Sequence, residues 1–248
     1  MISETLSIMR KNYALYFVIV GALTVIYMLE YYYKKSTGSG ANFVWFFLAV
    51  YVQKSILRGQ DITTSMAKSR VGFVPSFAFI LKIVALGLLS IISPLLVALV
   101  MHSFPEMQPS SGLSVFGLAS LWLLNLSVVF ALFGTWLPAG LHRYKMTFTD
   151  SFQRGKAEFG RTFWRFLLGL TLPSLLSASF ALALVVLGGS SEFIVDGAPN
   201  LSVFILAVIS ILLESFSMTY ISVILVRLYM KSEGLSAGHE VAGGLVVG

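Results

Sequence analysis

The stretch FAFILKIVALGLLSIISPLLVALVM, Phe77–Met101, decides the class of fold. Its one formally charged side chain is Lys82, close to its start. A hydrocarbon layer about 30 Å thick is crossed by roughly 20 predominantly apolar residues in helical form, since each residue rises about 1.5 Å. The helix also bonds every backbone N–H and C=O within the segment, where no water can. Phe77–Met101 meets both requirements and reads as a transmembrane helix. Working outward from it, five more stretches qualify: Tyr13–Tyr33, Ala41–Leu57, Leu113–Leu137, Phe163–Leu187 and Leu201–Val226. The second of these is short and ends with Gln53 and Lys54, where a lysine can extend to the headgroups. The expectation is an all-α polytopic membrane protein with six transmembrane helices. It forms one domain over residues 1–233, followed by a short Gly-rich tail, 234–248, expected to be poorly ordered.

Composition supports this class. The chain is 57% hydrophobic and 11% charged, with a mean hydropathy of +0.86. Soluble domains average about 25% charged residues, because their surfaces face water. There is no cysteine, which excludes disulfides, thiolate metal sites and cysteine nucleophiles. The formal net charge of +6 would suit a nucleic-acid partner in a soluble protein. Here the cations gather at helix ends, so topology accounts for them and no nucleic-acid partner is expected. The first apolar run is too long for a secretory signal and has no small-residue cleavage pattern.

The loops orient the chain. His102–Gly112 contains Glu106, and Gly188–Asn200 contains Glu192 and Asp196, with no Lys or Arg in either. By contrast, Lys54, Arg58, Lys68 and Arg70 follow the second span, and Arg143, Lys145, Arg154, Lys156, Arg161 and Arg165 follow the fourth. Lys and Arg accumulate on the cytoplasmic side, which places both termini there. Only the Lys34–Lys35 pair dissents. Tyr31–Tyr33, Trp45, Trp136, Trp164 and Tyr229 fall where interfacial aromatic anchors are expected.

The two basic segments also resemble each other. Asp61–Phe77 and Thr147–Phe163 align without gaps, so that Ile62, Met66, Phe73 and Phe77 stand opposite Phe148, Phe152, Phe159 and Phe163. Thr63 and Ser65 meet Thr149 and Ser151, and Lys68 and Arg70 meet Arg154 and Lys156. Offsets of four, eleven and fifteen residues share one helical face. Each segment therefore reads as a cytoplasmic amphipathic helix lying in the headgroup plane, with its cations drawn to anionic lipid. The unit span–interfacial helix–span would then occur twice in parallel, with Pro94 and Pro173 in its outgoing spans. The plain alternative is two membrane-hugging helices of similar pattern.

The segments Ser65-Met-Ala-Lys-Ser-Arg and Ser151-Phe-Gln-Arg-Gly-Lys, each followed by an aromatic-rich span, resemble the six-span domain attached to some bacterial glycerophosphodiester phosphodiesterases and its standalone relatives. The resemblance covers about Ala41–Val226. It implies a bacterial inner-membrane protein without hydrolase activity, because that family's catalytic domain is a separate soluble one.

Glu214 is the foremost candidate for chemistry. It stands near the middle of the last span, where a carboxylate costs about 2.5–3.5 kcal/mol and by default marks a functional site. Ser210 and Ser217, at i−4 and i+3, extend it into a polar stripe. Asn125, with Ser127, is the comparable polar point in the fourth span, and Lys82 and Arg165 lie in the inner turns of the third and fifth. The functional expectation is a proton- or cation-responsive site between spans four and six. The structural one is a carboxylate protonated or paired with Lys82 or Arg165. Candidate lipid-headgroup contacts are Lys68, Arg70, Arg154, Lys156 and Arg161. Four-residue steps of small residues (Ser177 with Ala181, Ser179 with Ala183) permit close helix packing, within the fold or in a homo-oligomer.

Signals for catalysis are poor. His239-Glu240 opens like a zinc-protease motif, but Gly243 stands where the second histidine belongs. Gly112–Gly117 lacks the spacing of a nucleophile elbow. His102 and His142 fall on opposite sides of the membrane. No enzyme activity, metal or cofactor is expected. The sequence points to a membrane-organising or accessory factor that binds the anionic cytoplasmic leaflet or a partner protein. The alternative is a small-solute or ion transporter using Glu214.

Overall fold

A computed structural model of the protein describes residues 1–33, 39–67, 77–103, 111–142, 147–186, 193–195 and 198–235. Lys34–Lys35, Glu106, Arg143, Lys145, Glu192, Asp196 and residues 236–248 lie outside the described residues, as do Lys68, Arg70 and Phe73 of the first basic segment. The helices are α1 (Ile2–Lys11), α2 (Tyr13–Tyr33), α3 (Ser39–Arg58), α4 (Ile62–Ala67), α5 (Phe77–Ser103), α6 (Ser111–Phe133), α7 (Trp136–Leu141), α8 (Phe148–Ala157), α9 (Phe159–Val186) and α10 (Leu201–Ser232). Between α9 and α10, the two-residue strands β1 (Ile194–Val195) and β2 (Ala198–Pro199) pair antiparallel.

Four helices are long and apolar enough to cross a membrane: Tyr13–Glu30 within α2, α5, Phe159–Leu184 within α9, and α10; Gly117–Phe133 of α6 is shorter. The protein is membrane-embedded and helical in its body. Two of the expected spans behave differently. The expected fourth span, Leu113–Leu137, stops at Phe133, and Gly134 and Thr135 turn the chain into α7. A Cβ on Gly134 would collide with the Phe130 carbonyl oxygen and the Leu225 side chain, so this turn is reserved for glycine. The expected second span forms α3, whose later half is enclosed: Val50, Tyr51, Val52, Gln53, Ser55 and Ile56 are all buried. A helix surrounded by protein meets no lipid there, which is how it tolerates Gln53 and the neighbouring Lys54.

The chain divides into two compact units. The first comprises Met1–Arg70 and Thr171–Val223, with Ser236–Gly248; the second comprises Val71–Leu170 and Ile224–Leu235. In the first unit the core is Tyr16, Leu23, Trp45, Tyr51, Ile62, Ile211 and Val223. Trp45, expected as an interfacial anchor, belongs to this core. α3 ends in a Schellman turn: Gly59 has φ 62°, its N–H donates to Ile56 O, and the Gln60 N–H donates to Ser55 O at 3.0 Å.

In the second unit α5 packs along α6, and α6 carries α8 at its end. Phe79, Leu86, Phe166, Leu225 and Tyr229 fill the core. Tyr229 is therefore another expected anchor that is buried; its hydroxyl shares a 2.8 Å hydrogen bond with His142 Nδ1. Trp164, by contrast, is exposed at 61%. α10 stops in the same kind of turn as α3, with Gly234 at φ 66° and the Leu235 N–H donating to Met230 O at 2.9 Å.

Candidate functional site

Glu214 faces outward. On α10, Ser215, Thr219 and Ser222 of the first unit are fully or almost fully buried polar side chains. They form a ladder along one helix face. Ser215 Oγ donates to Ile211 O at 2.8 Å, Thr219 Oγ1 donates to Ser215 O at 2.7 Å, and Ser222 Oγ donates to Ala49 O of α3 at 3.4 Å. Because the Thr219 proton is used on Ser215, the Tyr16 hydroxyl of α2 donates to Thr219 Oγ1, at 2.7 Å. The expected stripe, Ser210–Glu214–Ser217, is thus not the face that enters the core. Ser217 is buried, Ser210 is half-buried, and Glu214 is exposed. A step of one residue turns a helix by about 100°, enough to separate a core position from a surface one. Tyr27 of α2 lies within electrostatic reach of Glu214 and of Glu30.

The other polar candidates belong to the second unit, and each has a local partner. Asn125 Nδ2 donates to Ser90 O at 2.7 Å and to Leu89 O at 3.1 Å. Ser90 O is the carbonyl that residue 94 would engage in an uninterrupted helix, and Pro94 has no N–H to offer. Asn125 therefore replaces a missing backbone donor inside the membrane. Lys82 Nζ donates to Trp136 O at 3.5 Å and stands 5.0 Å from the centre of the Trp136 ring. Arg165 is half-buried on α9. Glu214, Ser210 and Ser217 thus belong to one unit, and Asn125, Lys82 and Arg165 to the other.

The second basic segment is built differently from the expected continuous amphipathic helix. α8 ends at Ala157, and Phe159 and Phe163 belong to α9. α8 begins with a reciprocal cap: Thr147 Oγ1 accepts the Asp150 N–H at 3.1 Å and the Asp150 carboxylate accepts the Thr147 N–H at 3.0 Å. The bonds from Thr147, with Arg154 nearby, hold the exposed Asp150 carboxyl below its usual range. The buried face of α8 is not its phenylalanines but Ser151 and Gly155, one turn apart. Ser151 Oγ donates to Phe133 O at 2.9 Å and accepts the Thr135 hydroxyl at 2.9 Å. Gly155 lies against the Leu132 backbone, where a side chain would not fit. Small residues let α8 close over the carbonyls that the end of α6 leaves without intrahelical partners.

Phe148 and Phe152 flank this contact. Both stack on Phe133, at 4.3 and 5.5 Å between ring centres, and both remain about 40% exposed. Arg154 is engaged by Glu233, and its Nη1 donates to Ser232 Oγ at 3.3 Å; Lys231 pairs with Glu158. Lys156 and Arg161 are exposed. Of the five expected headgroup contacts, then, Lys156 and Arg161 present exposed cations, Arg154 is held within the protein, and Lys68 and Arg70 lie outside the described residues. In the first segment Ser65 is buried like its counterpart Ser151, whereas Ile62 is buried and its counterpart Phe148 is exposed.

One polar feature had been read from sequence only as a weakness of the second span. Gln53 is 3% exposed, and its Oε1 has no hydrogen-bond partner among the described residues. Ser65 Oγ and Gln60 Oε1 share that condition in the same unit. The sequence signal is a glutamine that follows the apolar run Val44–Val52 and is itself followed by Lys54 and Ser55. Comparison with protein families, curated proteins and solved structures yields no significant match to the chain.

Proposed function

We propose that this is a non-enzymatic accessory or membrane-organising protein that holds an anionic cytoplasmic leaflet, or a partner at that surface, through α8 and the start of α9. One observation carries the reading: Phe148, Phe152 and Lys156 of α8 and Arg161 and Trp164 of α9 are exposed beside the small-residue contact of Ser151 and Gly155 that fixes α8 to the protein. Aromatic rings and cations exposed together suit the boundary between acyl chains and phosphate headgroups. The ion pairs of Arg154 and Lys231 support it by tying this segment to the end of α10. We include in the proposal six membrane crossings, counting α3 and α6, with both termini in the cytoplasm of a bacterium. A parallel duplication and kinship with the phosphodiesterase-associated membrane domains rest on the aligned basic segments.

The test is lipid retention. An exposed cation near an anionic surface contributes about 1 kcal/mol, so removing two should weaken binding roughly tenfold or more. In the Lys156→Gln/Arg161→Gln double variant, phosphatidylglycerol retained after detergent exchange, counted by native mass spectrometry, should fall accordingly. Phosphatidylcholine retention should not change. Undiminished phosphatidylglycerol on a folded variant overturns the proposal.

A second reading is transport of a small solute or ion, with Glu214 as the intramembrane polar site. The position of Tyr27 within electrostatic reach of both Glu30 and Glu214 favours it, since it marks two carboxyl groups near one point of α2 and α10. The outward position of Glu214 weighs against it, because a transport site requires the carboxylate on the wall of a polar cavity. Proton or cation flux into liposomes should be lost in Glu214→Gln on this reading. Equal flux through both proteins removes Glu214 from any such mechanism.

A further inference from the structure

We infer that α1 is a surface anchor whose exposed apolar stripe seats in an anionic phospholipid leaflet. The inference rests on α2 being membrane-embedded and is independent of the role given to α8. Ile2–Lys11 is too short and too polar to cross a bilayer. Its two faces are nevertheless sharply different.

One face is fixed to the protein. Thr5 and Asn12 are buried, and Ile8 between them is half-buried. The Asn12 side chain acts as a two-way clasp: Nδ2 donates to Ile8 O at 2.9 Å, and Oδ1 accepts the Ile62 N–H at the start of α4 at 3.1 Å. This clasp sets the rotation of α1, directing its Thr5–Ile8–Asn12 side toward α4.

The uncovered side carries an apolar edge, with Ser3, Ser7 and Arg10 exposed next to it. Ile2, Leu6, Tyr13 and Phe17 are exposed at 60, 53, 74 and 79%. Ile2 and Leu6 stand one turn apart on α1, and Tyr13 and Phe17 one turn apart on α2. Tyr13 and Phe17 lie on the first turns of α2, so the stripe runs on from the lipid-facing surface of a membrane helix. Arg10 and Lys11 are exposed at the junction between the two helices. An apolar line bordered by cations beside the entry of a span has the composition of an in-plane membrane helix, which anionic headgroups attract. A second copy of the chain is a poorer occupant, because matching stripes would bring two Arg10–Lys11 pairs together.

The absence of cysteine allows a direct test on the full chain. Single nitroxide labels go on Ile2→Cys, Leu6→Cys and, as a control on the polar side, Ser7→Cys. The protein is placed in nanodiscs of phosphatidylcholine with or without phosphatidylglycerol. The ratio of collisions with oxygen to collisions with a water-soluble nickel complex is then measured. The expected result is a ratio several-fold higher at positions 2 and 6 than at position 7, and higher with phosphatidylglycerol than without. Arg10→Gln/Lys11→Gln should abolish the phosphatidylglycerol increment. Equal ratios at positions 6 and 7 would mean that α1 stands in water, and they overturn the inference. Dipolar broadening between Leu6→Cys labels of two molecules would also overturn it, by identifying a second copy as the occupant. Neither Lys156 nor Arg161 is altered, so failure here is separate from failure of the α8 proposal.

Discussion

Gly155→Ala should strongly destabilise the protein. The added carbon would overlap the oxygen, carbonyl carbon and Cα of Leu132, all of them backbone atoms of α6 that no rotamer change can move aside. Relief requires α8 to lift away, which strips the Ser151 bonds from Phe133 O and Thr135 and loosens the stacking of Phe148 and Phe152 on Phe133. Overpacking of this kind costs about 1–3 kcal/mol and occasionally more, and the lost hydrogen bonds argue for the upper end. Gly160→Ala is the control, since a Cβ there meets nothing within 4 Å. It should be neutral or stabilising, by up to about 1 kcal/mol from helix propensity. Unfolding in mixed detergent micelles, followed by tryptophan fluorescence, reads both. Equal midpoints for the two variants would mean that α8 does not close on α6 as described.

The same variant bears on function. Gly155→Ala removes no cation, yet it disturbs the element that presents Lys156 and Arg161. If a fixed α8 is what organises the lipid contact, phosphatidylglycerol retention should fall in Gly155→Ala as well as in the charge variant. Retention that falls only when charge is removed would make the contact one of net charge rather than of geometry.

What the sequence displayed follows from what a bilayer demands of it. Hydrocarbon penalises polarity along a whole segment, so long apolar runs survive in the text: Tyr13–Tyr33 is α2 in full, and Phe77–Met101 is α5 without its last two residues. Facing is a different matter. α10 is apolar nearly all round, so nothing in its pattern distinguishes the side bearing Ser215, Thr219 and Ser222 from the side bearing Glu214. The choice is made by the Tyr16 hydroxyl and the Ala49 carbonyl, which reach α10 from distant parts of the chain. α3 was legible as a helix but not as an enclosed one, because enclosure depends on neighbours. For α8, period counting chose the phenylalanine face, whereas close approach to backbone favours the smallest residues. A serine and a glycine four apart were visible, but their meaning depended on the unpaired carbonyls at the end of α6. α1 contains no long apolar run, and only Ile2 and Leu6, one turn apart, mark its apolar edge.

Asn125→Leu should destabilise the second unit by about 1–2 kcal/mol, because a carbonyl left without a donor in hydrocarbon has no water to turn to. The neighbouring serine does not compensate, since Ser90 Oγ already donates to Gly87 O at 2.7 Å. The decisive comparison is with the proline removed. In Pro94→Ala the restored N–H of residue 94 can close onto Ser90 O, and the asparagine then has much less to supply. Asn125→Leu should therefore cost well under half as much in the Pro94→Ala background as in the parent protein. The difference between the two costs is the coupling of a side chain on α6 to a backbone defect in α5. Equal costs in both backgrounds would show that Asn125 does not serve the carbonyl freed by Pro94, and would restore it as a candidate for ligand or proton chemistry. A large coupling would instead account for Asn125 by packing alone.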